Sequence, residues 1–292
     1  MANSIELAKK YVDLLDEVYA KVSVTADLVA SPDLVRAGAN ANEIVYPQIA
    51  TTGLGDYDRN SGYTDGSVNV VWKTAAFDYD RGTKLSIDTM DDEETFNIAF
   101  GKALSELIRT KVAPEADAYF FSKLAGTDGV STGDDATFAD ASAFLEALIA
   151  AKSQMDEDEV TEEGRILYAT PTLLNGVMAL DTTKSREVLA TFAKKVAVPQ
   201  SRFYSAISLL DGKSEGEEAG GYKAADGASK LNFVIVEPSA IMKFDKHVVS
   251  SIIAPEMNPD SDAYIVKYRK YGLNDVYANK AAGIYISKQA AS

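Results

Sequence analysis

The chain has 292 residues and a formal net charge of −15, with 46% hydrophobic residues, no cysteine and a single histidine, His247. This is the composition of a globular protein with one large or two intertwined domains. It excludes disulfides, thiolate catalysis and zinc–thiolate sites, leaves any histidine-based triad resting on His247, and argues against a surface built to grip nucleic acid, which needs a basic patch.

Residues 4–22 read as a helix, with Ser4 as cap and Ile5, Ala8, Val12, Leu15, Tyr19 and Val22 in one apolar stripe. The same N-terminus lacks the continuous apolar core of a signal peptide, and no apolar run approaches the roughly 20 residues needed to cross a bilayer. The expectation is a soluble protein made in the cytosol.

Ser31-Pro32 and the GANAN run break the chain before a long extended segment, 43–91. Its strand-like ends, Ile44–Ile49 and Val68–Trp72, enclose the polar run GLGDYDRNSGYTDG. A segment this long and polar cannot bury itself alone, and such segments are either functional or disordered. It carries Tyr46, Tyr57, Tyr63, Trp72, Phe77 and Tyr79, an aromatic content that argues against disorder. The segment reads as an arm that finds its partner on another chain, with these six side chains as its inter-subunit contacts. The pattern predicts a long β-hairpin followed by a shorter β pair, Phe77–Asp80 and Leu85–Asp88, turning at Arg81-Gly82.

A helix over 92–124 follows. The acidic start Asp91-Asp92-Glu93-Glu94 suits the positive end of its dipole, and Pro114 should kink it or split it in two. Residues 126–136 read as a loop, and Phe138 to Met155 as a helix. RILYA (165–169) reads as a buried strand, and Thr170-Pro171 as a helix start. Residues 183–197 read as a weaker helix or loop with a basic patch at Lys194-Lys195. Ile207–Leu210 is a short strand, 213–230 a Gly-rich surface loop, LNFVIV (231–236) a buried strand, and Pro238-Ser239-Ala240 a helical turn. Two long strands at about 246–254 and 263–271, and a final one at Gly283–Ser287, close the chain.

No residue pattern supports catalysis, and neither a cofactor nor a metal is expected. Asp56-Tyr57-Asp58-Arg59-Asn60 resembles the start of a calcium loop, but Ser61 and Ser67 stand where Gly and a bidentate Glu are needed, so a solvated hairpin tip is the default. Gly53-x-Gly55 lacks the third glycine and the helix of a dinucleotide site. His247 reads as a surface or interface residue.

The order of helix, extended arm, kinked long helix, α/β body and closing strands resembles a tailed-bacteriophage major capsid protein of the Hong Kong 97-like fold. The residues that carry this are GLGDYDRNSGYTDGSVNVVWKTAAFDYDRGTKLSIDTMDDEETF (53–96), VAPEADAYFFSKLA (112–125), VPQSRFYSAISLLDG (198–212) and the two stretches 231–242 and 246–277. The resemblance implies an α+β fold: N-terminal arm with helix (1–42), extended β-hairpin loop (43–90), peripheral-domain spine helix (91–131), axial α/β domain (132–240), peripheral return strands (241–271) and a closing strand rejoining the axial domain (272–292). It further implies self-assembly into hexamers and pentamers, an icosahedral head that encloses double-stranded DNA without sequence-specific binding, a virion location, and portal, scaffolding and decoration proteins as partners. Two other readings stand beside it: an encapsulin-type compartment shell, and an acidic hydrolase using paired carboxylates such as Asp78 and Asp80.

Overall fold

The computed structural model describes residues 23–28, 36–37, 42–60, 62–90 and 105–290. The expected helix over 4–22, the acidic run 91–94 and the first part of the expected helix over 92–124 lie outside the described residues.

The body is organised by a five-stranded mixed sheet. Its strands are β5 (Ser131–Thr132), β6 (Ile166–Ala169), β7 (Lys194–Ala197), β10 (Leu231–Val236) and β13 (Ile284–Lys288), in the order β5-β13-β10-β6-β7. The middle strands are buried on both faces, which is why RILYA and LNFVIV read as continuous apolar runs rather than alternating ones. Along β10, Val234 and Val236 face one core, with Phe121, Leu124, Phe203 and Ile286. Phe233 and Ile235 face the other, with Phe144, Leu148 and Met155. Helix α1 (Ala113–Ala125) packs in the first core. Helices α2 (Ala141–Glu157), α3 (Pro171–Leu180) and α4 (Thr183–Ala190) pack in the second. Asp140 caps α2 by accepting from the Ala143 amide at 2.8 Å, and Thr182 with Ser185 forms a capping box on α4.

Lys194-Lys195, expected in a helix or loop, lie on strand β7, parallel to β6. Both side chains are exposed, so no apolar alternation marked the strand. The expected short strand at Ile207–Leu210 is β8 (Ile207–Leu209), and it pairs with β9 (Tyr222–Ala224), which lies within the region 213–230 expected to be loop.

The second sheet joins β11 (Ile241–Ile253), β12 (Ala263–Val276) and β4 (Tyr79–Asp88), with β12 central. Here one expectation is corrected. Arg81-Gly82 is not a turn; it lies inside the continuous strand β4, with Gly82 opposite Arg269. The glycine is needed for close approach, since a Cβ there would stand 2.9 Å from the Tyr268 carbonyl oxygen.

Pro114 does not break its helix. The turn before α1, Ile108–Val112, is π-helical, and the Ala113 amide reaches back to the Ile108 carbonyl. A proline at 114 has no N–H for the Thr110 carbonyl, and the widened turn absorbs the mismatch.

The stretch Ser23–Leu28 is tied to this body through buried polar groups. Asp117, fully buried on α1, accepts from Ser23 Oγ at 2.7 Å, the Val24 amide at 3.1 Å, Thr25 Oγ1 at 2.7 Å and Arg202 at 3.1 Å. Lys243 of β11, also buried, donates to the Thr25 carbonyl and hydroxyl at 2.8 and 2.7 Å. Burial pushes the Lys243 ammonium down to about 8, and the neighbouring Lys270 adds to the effect.

Candidate functional site

The segment between β2 (Glu43–Thr51) and β3 (Val68–Ala76) is the part of the fold that its own core does not explain. The two strands pair antiparallel along their whole length, from Glu43↔Ala76 to Thr51↔Val68. The short β1 (Arg36–Ala37) adds a third strand at the base. Nine residues at about 3.3 Å each make a ribbon roughly 30 Å long.

Directly opposed residues of an antiparallel pair share a face. One face carries Ile44, Tyr46 and Ala75 at its base, all buried against Met242 and Leu273. Tyr46 meets Tyr277 edge to face at 5.1 Å, and burial together with Asp275 raises its hydroxyl pKa. Farther out this face is mixed, with Gln48, Asn69 and Lys73 beside Ala50 and the exposed Val71. The other face is mostly apolar, interrupted by Thr74 and Thr51. Pro47 stands opposite Trp72, Ile49 opposite Val70, and Val45 opposite Thr74, with Val68 at the far end. Val45 and Pro47 are half-buried, but the others are solvent-exposed where a core strand would bury them: Ile49 is 62%, Val70 48% and Trp72 50% exposed.

At the tip, the Ser67 amide donates to Thr52 Oγ1, Asp58 and Gly62 bridge, and the Tyr57 and Tyr63 rings lie 4.8 Å apart. Asp58 accepts from the Asn60 amide, which makes it a turn carboxylate. Among the described residues no group of acids, histidines or cysteines could hold a metal.

The six aromatics singled out in the sequence therefore divide. Tyr57, Tyr63 and Trp72 are exposed on the ribbon. Tyr46 and Tyr79 are buried in their own chain, and Phe77 packs there against Tyr271 at 5.3 Å, with Lys246 over both rings. Tyr79 sits against Tyr119 and donates to Glu115. These three anchor the base of the ribbon and leave little surface for a neighbour. The apolar face escaped the sequence reading because half of it, Val45, Pro47 and Ile49, comes from the other strand. Only the register joins the two halves.

The carboxylates of the hydrolase reading are each held by a separate cation. Asp78 pairs with Lys123, and Asp80 is gripped in bidentate fashion by Arg269 at 2.8 and 2.6 Å. Arg269 holds the Asp80 pKa below the usual carboxylate range, the opposite of what a general acid needs. His247 is exposed on β11, beyond a bulge at Lys246.

No family model and no curated protein match the chain. Solved structures match nearly all of it. A chain of Gordonia phage Cozz is 12% identical with a TM-score of 0.61, over 92% of this chain and 87% of that one. A virus-like particle from Pyrococcus furiosus is 9% identical at 0.60, over 97% and 99%. A chain of Mycobacterium phage Che8 is 13% identical at 0.58, over 92% of each. At such identities the likeness is one of fold. The chain has a tailed-phage capsid fold, of mixed α+β class.

Proposed function

We propose that this chain is the repeating subunit of an icosahedral shell, the major capsid protein of a tailed phage. Its copies join into hexamers and pentamers around double-stranded DNA. The observation that carries this is the ribbon: an exposed apolar face on a two-stranded element, on a fold shared with phage capsid structures. An isolated two-stranded ribbon is marginal in water, and an exposed apolar face of this kind marks an interaction site. Laid on a neighbouring copy, it gains about 25 cal/mol per Å² of apolar area buried. Association entropy offsets part of that, and symmetry repeats the contact around the shell. Tyr57, Tyr63 and Trp72 are the aromatic contacts of this reading.

In this reading residues 1–42 are the N-terminal arm and 43–90 the extended loop. Residues 91–131 hold the spine helix, 132–240 the axial domain, 241–271 the peripheral return strands and 272–292 the closing strand. The role is structural and not catalytic, its place is the virion, and portal, scaffolding and decoration proteins are its further partners. The negative net charge suits a wall that encloses DNA without gripping it.

A second reading, a cellular compartment shell, draws on the Pyrococcus furiosus virus-like particle, which matches this chain end to end. Electron microscopy and sedimentation of the purified chain over a range of salt test the shell itself. Closed particles or rings are expected, and a monomer under every condition overturns both readings. Double-stranded DNA in particles taken from producing cells selects the phage head; a packaged protein cargo selects the compartment.

A further inference from the structure

A groove lies between β4, the π-helical turn and the segment that follows β8. It encloses about 480 Å³, within the range of roughly 300–1,000 Å³ typical of small-molecule sites. Leu85, Leu107, Val112 and Tyr268 give it an apolar floor. Gly212, Gly220 and Gly221, all with positive φ, form a wall without side chains, where a ligand can approach the backbone closely. The two sides are pinned together where Arg81 of β4 donates to the Gly221 carbonyl at 3.2 Å.

Five cationic and three acidic side chains line this groove, an excess of cations on a chain of net charge −15. The acids are occupied by their own surroundings. Glu115 accepts from Arg81 at 2.7 Å and from Tyr79 at 3.2 Å. Asp211 accepts from Ser214 Oγ at 2.6 Å and from the Lys213 and Ser214 amides. Glu218 accepts from the Gly216 amide. Among the cations, Arg81 is taken by Glu115 and Lys270 by Asp245 at 3.1 Å. The ammonium groups of Lys84, Lys111 and Lys213 have no ion-pair partner among the described residues, and all three side chains are exposed.

Lys84 carries a further cost. It stands directly opposite Lys267 in the β4–β12 ladder, and like charges so placed destabilise a sheet. An anion seated beside them relieves that repulsion. The three unpaired lysines reach the groove from three separate segments: β4, the π-helical turn and the loop after β8. A ligand that meets all three needs several negative charges spread along its length. A chain of phosphates has them, and its oxygens accept from many directions, which suits the point charge and rotating donors of lysine. The volume suits a small molecule rather than a length of peptide.

We propose that the groove is a binding site for a small polyphosphate anion, held by Lys84, Lys111 and Lys213 over the Leu85–Leu107–Val112 floor. The ligand is an inorganic polyphosphate or a nucleoside triphosphate; both present the same chemistry to the lysines. Because Lys84 and Lys111 stand on one side and Lys213 on the other, the bound anion ties the loop after β8 to the second sheet, beside the contact that Arg81 already makes. The site belongs to the single chain, so it does not depend on the shell reading.

The test is calorimetric titration of the full chain at low salt with inorganic tripolyphosphate and, separately, with ATP. One saturable site per chain is expected, weakening as salt is added. Lys84→Ala, Lys111→Ala and Lys213→Ala together are expected to leave the urea midpoint unchanged and to weaken binding by about tenfold. In the wild-type chain, tripolyphosphate is expected to slow acetylation of these three lysines several-fold while sparing the exposed Lys73 and Lys184. That footprint decides the matter even if the triple variant folds poorly. Equal affinity for the two probes assigns the inorganic ion; tighter ATP assigns the nucleotide, its body on the apolar floor. Three results overturn the proposal: no saturable binding of either probe below about 1 mM, binding untouched by the triple substitution, or equal protection of every lysine. A DNA oligonucleotide held by the three lysines when neither small probe binds also overturns it. A chain that binds tripolyphosphate yet never forms particles overturns the shell reading and leaves this site standing.

Discussion

The base and the outer part of the ribbon are built from the same kind of sequence, yet they end in opposite environments. At the base, Ile44, Tyr46 and Ala75 are buried against Met242 and Leu273 of the second sheet. A few residues along the same strands, Ile49, Val70 and Trp72 face solvent. Hydrophobicity is similar in both places; what differs is whether the chain supplies an opposing surface. Apolar residues left without one on a paired strand mark the place where a second molecule completes the burial.

Substitutions should separate the two regions, and the body that anchors the base should respond most. Phe121→Ala removes a fully buried ring that touches Phe120, Tyr168 and Phe203. It should cost about 3–5 kcal/mol in urea unfolding. Asp117→Ala removes the buried carboxylate that Ser23 Oγ, Thr25 Oγ1 and Arg202 donate to, at a cost of about 3–5 kcal/mol. Hydrogen exchange should then show faster opening of the Ser23–Leu28 amides. If those amides stay as protected as in the wild type, the polar tie does not hold that stretch.

Gly82→Ala tests the close approach of β4 to β12. The added methyl meets the Tyr268 carbonyl, and a loss of about 1–3 kcal/mol is expected. A thermal melt unchanged from wild type would show that the sheet relaxes freely there.

Lys243 gives a pH-dependent difference of smaller size. The folded chain releases this proton at about 8 and the unfolded chain only near 10.4. Between those values the unfolded state binds more protons, so this group makes stability rise with pH across that window. Lys243→Met lacks that rise. Urea midpoints of the two chains, compared from pH 7 to 10, should diverge in favour of the wild type above pH 8. Parallel curves would place the lysine's titration elsewhere.

The smallest effect on stability belongs to the outer ribbon. Ile49→Asp and Val70→Asp, which stand opposite each other on the exposed face, should leave the midpoint within about 0.5 kcal/mol. They should nevertheless abolish particles seen by microscopy. Loss of stability without loss of assembly would invert the comparison between base and tip.

Much of this architecture was legible in the residues. RILYA and LNFVIV announced buried strands because both of their faces are covered. The ends of the ribbon were legible from β-branched and aromatic residues around a polar, glycine-punctuated middle. The errors have physical causes. Arg81-Gly82 has the composition of a turn, but the glycine serves a close approach between strands that only pairing reveals. Lys194-Lys195 lie on an edge strand whose exposed side chains leave no hydrophobic period to detect.

The sequence by itself determined the two-sided core strands and the existence of a long arm, because these follow from local periodicity and turn chemistry, while the α+β class came from the resemblance that the order of elements carries. The tertiary structure decided which of the arm's aromatics are anchors and which face outward. It also joined Val45, Pro47 and Ile49 to Val70 and Trp72 on one face. Those are facts of register and packing between residues far apart in the chain, and no local pattern encodes them.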